Sequence, residues 1–308
     1  MNRLAASFAA LLLVSACTGA APGPSPGEGQ LTIVTTTTVL ADMVREVAGD
    51  RAIVHALVPS GAEVHTYDPA PSDVARLAGA DLLVLNGLGL DDWLLDLARD
   101  AAQQDLPVVE LAEDLDGVEY IEADPDDDHG TGDDDHAYNP HLWLDVSYAR
   151  LYVERLREEL ALVDPAGSAT YEANAASYDA RLADLDASIA EQMRALPEQD
   201  RKVVSFHDAF PYFAAAYDLV VVGVVVSAPG QEPSAAEVAG LISAIRDSGV
   251  KVILAEAQFS DQLAQMIAAE TGAQVVSELY TDSLGDQSLD TYESAMRWNT
   301  EAIVEGLR

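Results

Sequence analysis

Residues 171–196 read YEANAASYDARLADLDASIAEQMRAL, and within them Tyr171, Tyr178, Leu182, Leu185, Ile189, Met193 and Leu196 recur at helical intervals. That period places all seven on one face of a single helix, which Pro197 ends. Taken from Ala166 to Leu196, such a helix is roughly 45 Å long at 1.5 Å per residue, enough to run the height of two lobes. A stiff helical connector predicts small relative motion of the lobes, whereas a hinge of short strands would permit wide closure. The plainer alternative is an ordinary long core helix.

On either side of this segment, short β-branched runs alternate with helical patterns. Strands are expected at Leu31–Thr35, Ile53–Val58 and Leu82–Leu85, with helices near Leu40–Ala48 and Pro71–Ala78. After the long helix come strands at Lys202–Phe206, Leu219–Val226, Val250–Ala255 and Gln274–Glu278, with helices near Ala209–Tyr217, Ala235–Ser248, Asp261–Thr271 and Leu289–Leu307. Such βα alternation predicts mostly parallel sheets covered by helices, with ligands at the carboxyl ends of the strands. The expected fold is therefore α/β: two Rossmann-like lobes joined by one long rigid α-helix. The N-terminal lobe would take 31–165, the helix 166–197 and the C-terminal lobe 198–308.

The start of the chain stands apart. Met1-Asn2-Arg3 precedes an apolar run from Leu4 to Val14, which is too short to span a bilayer and has the layout of a secretory signal. It ends at Val14-Ser15-Ala16-Cys17, the pattern of a lipoprotein cleavage site, and Cys17 is the single cysteine of the chain. Residues 1–17 thus read as a lipoprotein signal with Cys17 as the point of lipid attachment. The Gly-, Pro- and Ala-rich stretch 18–30 reads as a flexible tether. Acidic residues outnumber basic ones 53 to 16, a formal charge of −37, which argues against nucleic-acid binding and against adsorption to anionic lipid. Membrane association is expected through the lipid alone.

Four places carry metal-ligand chemistry: His65 in Val64–Pro69, His141 in Asn139–Asp145, His207 in Ser205–Phe210, and Asp282 in Leu279–Gly285. His65, His207 and Asp282 each follow a predicted strand, and His141 is placed in a loop. Carboxyl-end loops of two facing lobes converge on one cleft, so the four could close around one ion. Three imidazoles and a carboxylate suit tetrahedral Zn2+ and leave little room for a reactive water, which is the geometry of storage or transport. Singly, each histidine is as readily a capping or core residue, and Asp282 a turn residue. Binding would need neutral imidazoles, so affinity is expected to fall as pH drops through the ordinary histidine range at about 6.5.

With these motifs in view, the chain resembles the zinc- and manganese-binding solute-binding proteins of ABC importers, the family whose lobes are linked by a rigid backbone helix. The resemblance covers nearly all of the chain after the tether. It rests on His65-Thr66-Tyr67-Asp68-Pro69-Ala70-Pro71-Ser72-Asp73, Asn139-Pro140-His141-Leu142-Trp143, Ser205–Phe210 and Leu279–Gly285. It implies the same four ligands, an ABC permease as partner, extracytoplasmic localisation and a monomeric, non-enzymatic role. Manganese-type members commonly present glutamate where this chain has His207, so the resemblance leans to Zn2+ over Mn2+. The lean is limited, because any N/O site binds zinc more tightly than manganese.

Several residues lie beside the main motifs. Ala62-Glu63-Val64 replaces the family's small-acidic-proline lead-in, which makes Glu63 a candidate auxiliary oxygen donor, with a solvated loop glutamate as the plainer reading. Glu119 to His136 is a low-complexity acidic segment carrying His129 and His136, either a weak metal collector or a solvated charge run. Asp145, Glu256 and Trp143 are candidates to orient imidazoles or dry the cleft. The absence of a His-Glu-x-x-His pair argues against a metallohydrolase. Manganese or iron uptake, or a surface adhesin, are the remaining alternatives.

Overall fold

The computed structural model describes residues 29–100, 106–123, 138–226, 230 and 232–308. Cys17, the 18–28 part of the tether, His129 and His136 lie outside the described residues.

Strands β1 (Leu31–Thr35), β2 (Ala52–Ala56), β3 (Leu82–Leu85) and β4 (Val108–Glu110) form one sheet in the order β2-β1-β3-β4, with every pairing parallel. Strands β5 (Lys202–Ser205), β6 (Val220–Val224), β7 (Val252–Glu256) and β8 (Gln274–Leu279) repeat that winding as β6-β5-β7-β8, again all parallel. Parallel strands covered on both faces become continuous apolar runs. The central strands show this: β3 is buried throughout, and so is β7, including the carboxylate of Glu256 at its end.

Helices α1 (Thr38–Ala48), α2 (Pro71–Leu77), α3 (Asp92–Asp100) and α4 (Val146–Val163) accompany the first sheet. Helices α6 (Pro211–Tyr217), α7 (Ala235–Ser248), α8 (Gln262–Thr271) and α9 (Tyr292–Leu307) accompany the second. Between them, α5 runs from Ser168 to Arg194, slightly shorter than the expected span because Pro165–Gly167 winds as a 3₁₀ turn. There Asp164 accepts from the Arg51 guanidinium and the Tyr171 hydroxyl, which anchors the start of α5.

The face of α5 predicted from its periodicity is buried: Tyr171, Tyr178, Leu182, Leu185, Ile189 and Met193 are fully enclosed. It packs against α1 and α4 on one side and α6 and α9 on the other, within one apolar cluster that runs from Ile33 to Leu307. Polar links between the halves reinforce this core. Arg181 on α5 pairs with Glu46 of α1 and Glu293 of α9. The Tyr292 amide donates to Asp42 at 2.8 Å, and the Leu284 amide donates to Thr38 at 2.8 Å. The two halves thus share one core and are cross-linked by polar contacts.

Asp42 is 7% exposed, and its burial pushes the carboxyl from 3.8 up to about 6. Below pH 4 both folded and unfolded chains hold that proton. As pH rises through about 6 the folded state must ionise a buried group, so the stability associated with this shift is lost. Asp42→Asn keeps an acceptor for the Tyr292 amide and removes the charge. The variant's stability relative to the native chain should therefore improve by about 2–3 kcal/mol between pH 4 and pH 7 in denaturant titrations. A difference that does not change with pH would contradict this account.

Candidate metal centre

In each sheet the chain leaves the first strand toward one neighbour and returns on its other side, which opens a crevice between those two strands at their carboxyl ends. In the second sheet that crevice lies between β5 and β7. The turn after β5 carries His207, and the last residue of β7 is Glu256. The turn is held by the Ser205 hydroxyl and the Ala209 amide, which both donate to the His207 carbonyl at 2.6 and 2.9 Å. Glu256 Oε1 then stands 2.9 Å from His207 Nδ1, which directs Nε2 away from the sheet.

Asp282 comes from the turn after β8. The Tyr280 amide donates to the Asn299 side chain of α9 at 2.9 Å, and the Gln258 amide group donates to Asp282 Oδ2 at 3.0 Å. His141 precedes a 3₁₀ turn over Leu142–Leu144. Asn139 Oδ1 accepts from the His141 backbone amide at 3.0 Å and lies 2.9 Å from its Nδ1. The Asn139 side chain also donates to the Asp208 carbonyl at 2.7 Å, which ties the His141 loop to the His207 loop. Asn86, after β3, donates to the Pro140 carbonyl at 3.0 Å and accepts from Tyr152 at 2.8 Å. His65 follows β2 through a turn in which Gly61 takes φ +74°, a conformation that favours glycine. Beyond it, Asp73 caps α2 by accepting from the Ala70 amide at 2.8 Å, and the Tyr67 hydroxyl leans on the same carboxylate at 3.1 Å.

These elements bring the four predicted residues together. One ligand atom from each of His65, His141, His207 and Asp282 lies within 4.8 Å of every other. His141 Nε2 is 3.3 Å from His207 Nε2 and 3.3 Å from Asp282 Oδ1. Asp282 Oδ2 is 3.4 Å from His207 Nε2 and 3.8 Å from His65 Nε2. Two donors bound about 2.1 Å from one ion at a tetrahedral angle stand about 3.4 Å apart, so this spacing fits one first-row cation. All four side chains are at most 2% exposed.

Burial disfavours the charged form of His207, but the surrounding Glu256 and Asp282 carboxylates outweigh it and push its pKa up to about 10. Burial likewise raises Asp282, yet the imidazoles of His207, His141 and His65 overcome this and hold its carboxyl well below the usual range. The carboxylates around His207 thus favour its protonated form when no cation is bound.

Among the auxiliary candidates, Glu256 does orient an imidazole. Trp143 packs 5.2 Å from the His141 ring, and its indole donates to the Thr281 carbonyl at 2.8 Å, beside Asp282. Asp145 does not reach an imidazole. It caps α4, accepting from the Ser147 amide at 2.8 Å, a role its place just before a helical run required. Glu63 is not solvated: its side chain is 16% exposed, and burial together with Asp282 raises its pKa to about 7. The positioning roles of Asn86, Gln258 and Asn299 are visible only in the structure. Asn139 alone carried a sequence signal, its place two residues before a candidate ligand.

Two parallel-sheet lobes, a long shared helix and a closed three-nitrogen, one-carboxylate cluster where the lobes meet define a cation-capturing solute-binding protein. Residues 33–306 match the family described as zinc-uptake complex component A, periplasmic, and the chain belongs to that family, the substrate-binding components of metal ABC importers, which are not enzymes. It is 31% identical to the manganese-binding lipoprotein MntA of Halalkalibacterium halodurans, covering 100% of this chain and 99% of that one. It is 29% identical to the metal ABC transporter substrate-binding lipoprotein SsaB of Streptococcus sanguinis, over 97% and 98% of the two chains. Its fold superimposes on the periplasmic zinc binding protein TroA from Treponema pallidum with a TM-score of 0.81 at 25% identity, covering 91% and 99%. Among the described residues no helix is long and apolar enough to cross a membrane.

Asn139→Ala removes the acceptor that orients His141 and the tie to the His207 loop. It should weaken divalent-cation binding by about 10–100-fold in chelator competition while the circular dichroism spectrum stays native. Unchanged affinity would show that His141 is placed without Asn139.

Proposed function

We propose that the chain captures a divalent transition cation, Zn2+ in preference, outside the membrane and delivers it to the permease of an ABC importer. His65 and His141 bind from the N-terminal lobe, and His207 and Asp282 from the C-terminal lobe. The observation that carries this reading is the mutual 4.8 Å limit on the four donor atoms. Asp282 Oδ1 adds support: it is buried and without a hydrogen-bond partner among the described residues, and a cation supplies one.

The preference for zinc rests on the donor set. Three nitrogens and a carboxylate close a tetrahedron, and the imidazole at His207 supplies a softer donor than a carboxylate would. A second reading, manganese uptake by the same mechanism, is favoured by the name of the 31% identical relative. Cys17 is read as the lipid anchor that keeps a monomeric chain at the membrane. Release needs only a local rearrangement of the loops around one lobe's ligands when both lobes dock on the permease.

Metal analysis of the chelator-stripped and reloaded chain should give one tightly bound zinc. His65→Ala, His141→Ala, His207→Ala and Asp282→Ala should each weaken it by about 100-fold or more. No tight metal, or variants without effect, would overturn the reading. Expression that rises on manganese starvation and ignores zinc starvation would assign manganese as the cargo.

A further inference from the structure

The crevice between β5 and β7 holds His207 and Glu256, whereas the equivalent crevice of the first sheet, between β1 and β3, carries none of the four clustered residues. Its mouth is closed by Asp91, a fully enclosed carboxylate directly before α3 that the four-ligand account leaves unused. Asp91 Oδ2 accepts from the Thr36 hydroxyl, just after β1, and from the Asn86 amide, just after β3, the latter at 2.7 Å. Its Oδ1 accepts from the Gly87 amide at 2.9 Å. Asp91 stands where a cap of α3 would stand, yet all three side-chain bonds run back to the strand ends. The three donors are uncharged, and burial pushes the carboxyl up to about 6. Enclosing an anion without a countercharge is costly, and capping α3 does not account for it.

Three of the four ligand segments are moored to the groups that Asp91 ties together. Asn86 donates from its side chain to the Pro140 carbonyl at 3.0 Å and accepts from the buried Tyr152 hydroxyl at 2.8 Å, and Pro140 directly precedes His141. The Thr36 carbonyl accepts from the Val58 amide at 2.9 Å, where the chain leaves β2 for the turn that presents His65. Two residues on from Thr36, the Thr38 hydroxyl accepts from the Leu284 amide at 2.8 Å, two residues beyond Asp282 of the other lobe. Resting on the proposed four-ligand site, we propose that Asp91 is the positioning residue of the N-terminal lobe: by tying the ends of β1 and β3 together it holds His65, His141 and Asp282 at the separations that one cation requires. It acts on the cation only through these loops. Glu256 does the corresponding work in the second crevice by direct contact with His207. Buried polar networks in which each member fixes the next hold a single arrangement, and removing the hub loosens every branch.

The test uses Co2+ as a spectroscopic probe in the purified full chain, beside Asp91→Asn and a core truncation, Ile267→Ala, that lies in the separate apolar cluster of the second lobe. Asp91→Asn keeps the shape but sets an amide N–H2 group against the donors. It should retain one Co2+ with shifted visible absorption bands and bind zinc about tenfold or more weakly in chelator competition. Ile267→Ala should lose stability in denaturant yet keep the native bands and zinc affinity. In Asn86→Ala/Asp91→Asn the loss should be smaller than the product of the two single losses, because the carboxylate reaches His141 through Asn86. Thr36→Val and Tyr152→Phe each remove one hydroxyl at nearly constant shape. Both should shift the bands in the same direction, and they carry the test where Asp91→Asn does not fold. Native bands and affinity in Asp91→Asn or in both hydroxyl variants, an equal loss in Ile267→Ala, or single losses that multiply would overturn the positioning role while leaving the four-ligand site standing. Failure of the native chain to bind one Co2+ would remove the four-ligand site itself.

Discussion

Three imidazoles and a carboxylate sit where side chains of their kind are costly to bury, and each is tolerated because the others are within 4.8 Å. A buried charge without a partner is strongly destabilising, whereas a cluster that shares charge and hydrogen bonds can be enclosed. The rest of the molecule is arranged around that condition. The strands end where the cluster begins, and the polar residues just outside it, Glu256, Asn139 and Gln258, hold the ring and carboxylate atoms toward a common point.

That arrangement requires the two halves to be held in register with one another. The α5 helix and the continuous apolar core beneath it meet the requirement by making the lobes parts of one packed body. Cross-lobe hydrogen bonds lie close to the ligands: Trp143 to the carbonyl beside Asp282, and Gly61 to the residue after it.

Much of this was legible in the sequence, for identifiable reasons. The α5 face followed from helical spacing, and seven strands followed from β-branched runs between helical patterns. The four clustered residues were readable because His65, His207 and Asp282 each follow a strand, where a parallel sheet presents its loops. Helix α4 is equally legible, with Ala149, Val153, Leu156 and Leu160 at helical spacing. Strand β4 is three residues long and carries no full alternation, whereas α3 carries a helical pattern in Trp93, Leu94, Leu97 and Ala98. The depth of Glu63 could not be read locally, because it depends on how the 61–65 turn folds against the other lobe. Asp145 lies close to a ligand motif, but its local signal is that of a helix cap, which is the role it fills.

The claim that one cation is held jointly by both lobes is tested most directly by anomalous diffraction from crystals of the zinc-loaded chain at the zinc absorption edge. A single strong peak within bonding distance of His65, His141, His207 and Asp282 is the predicted result. A peak bonded to residues of one lobe only, or lying elsewhere in the molecule, would contradict it.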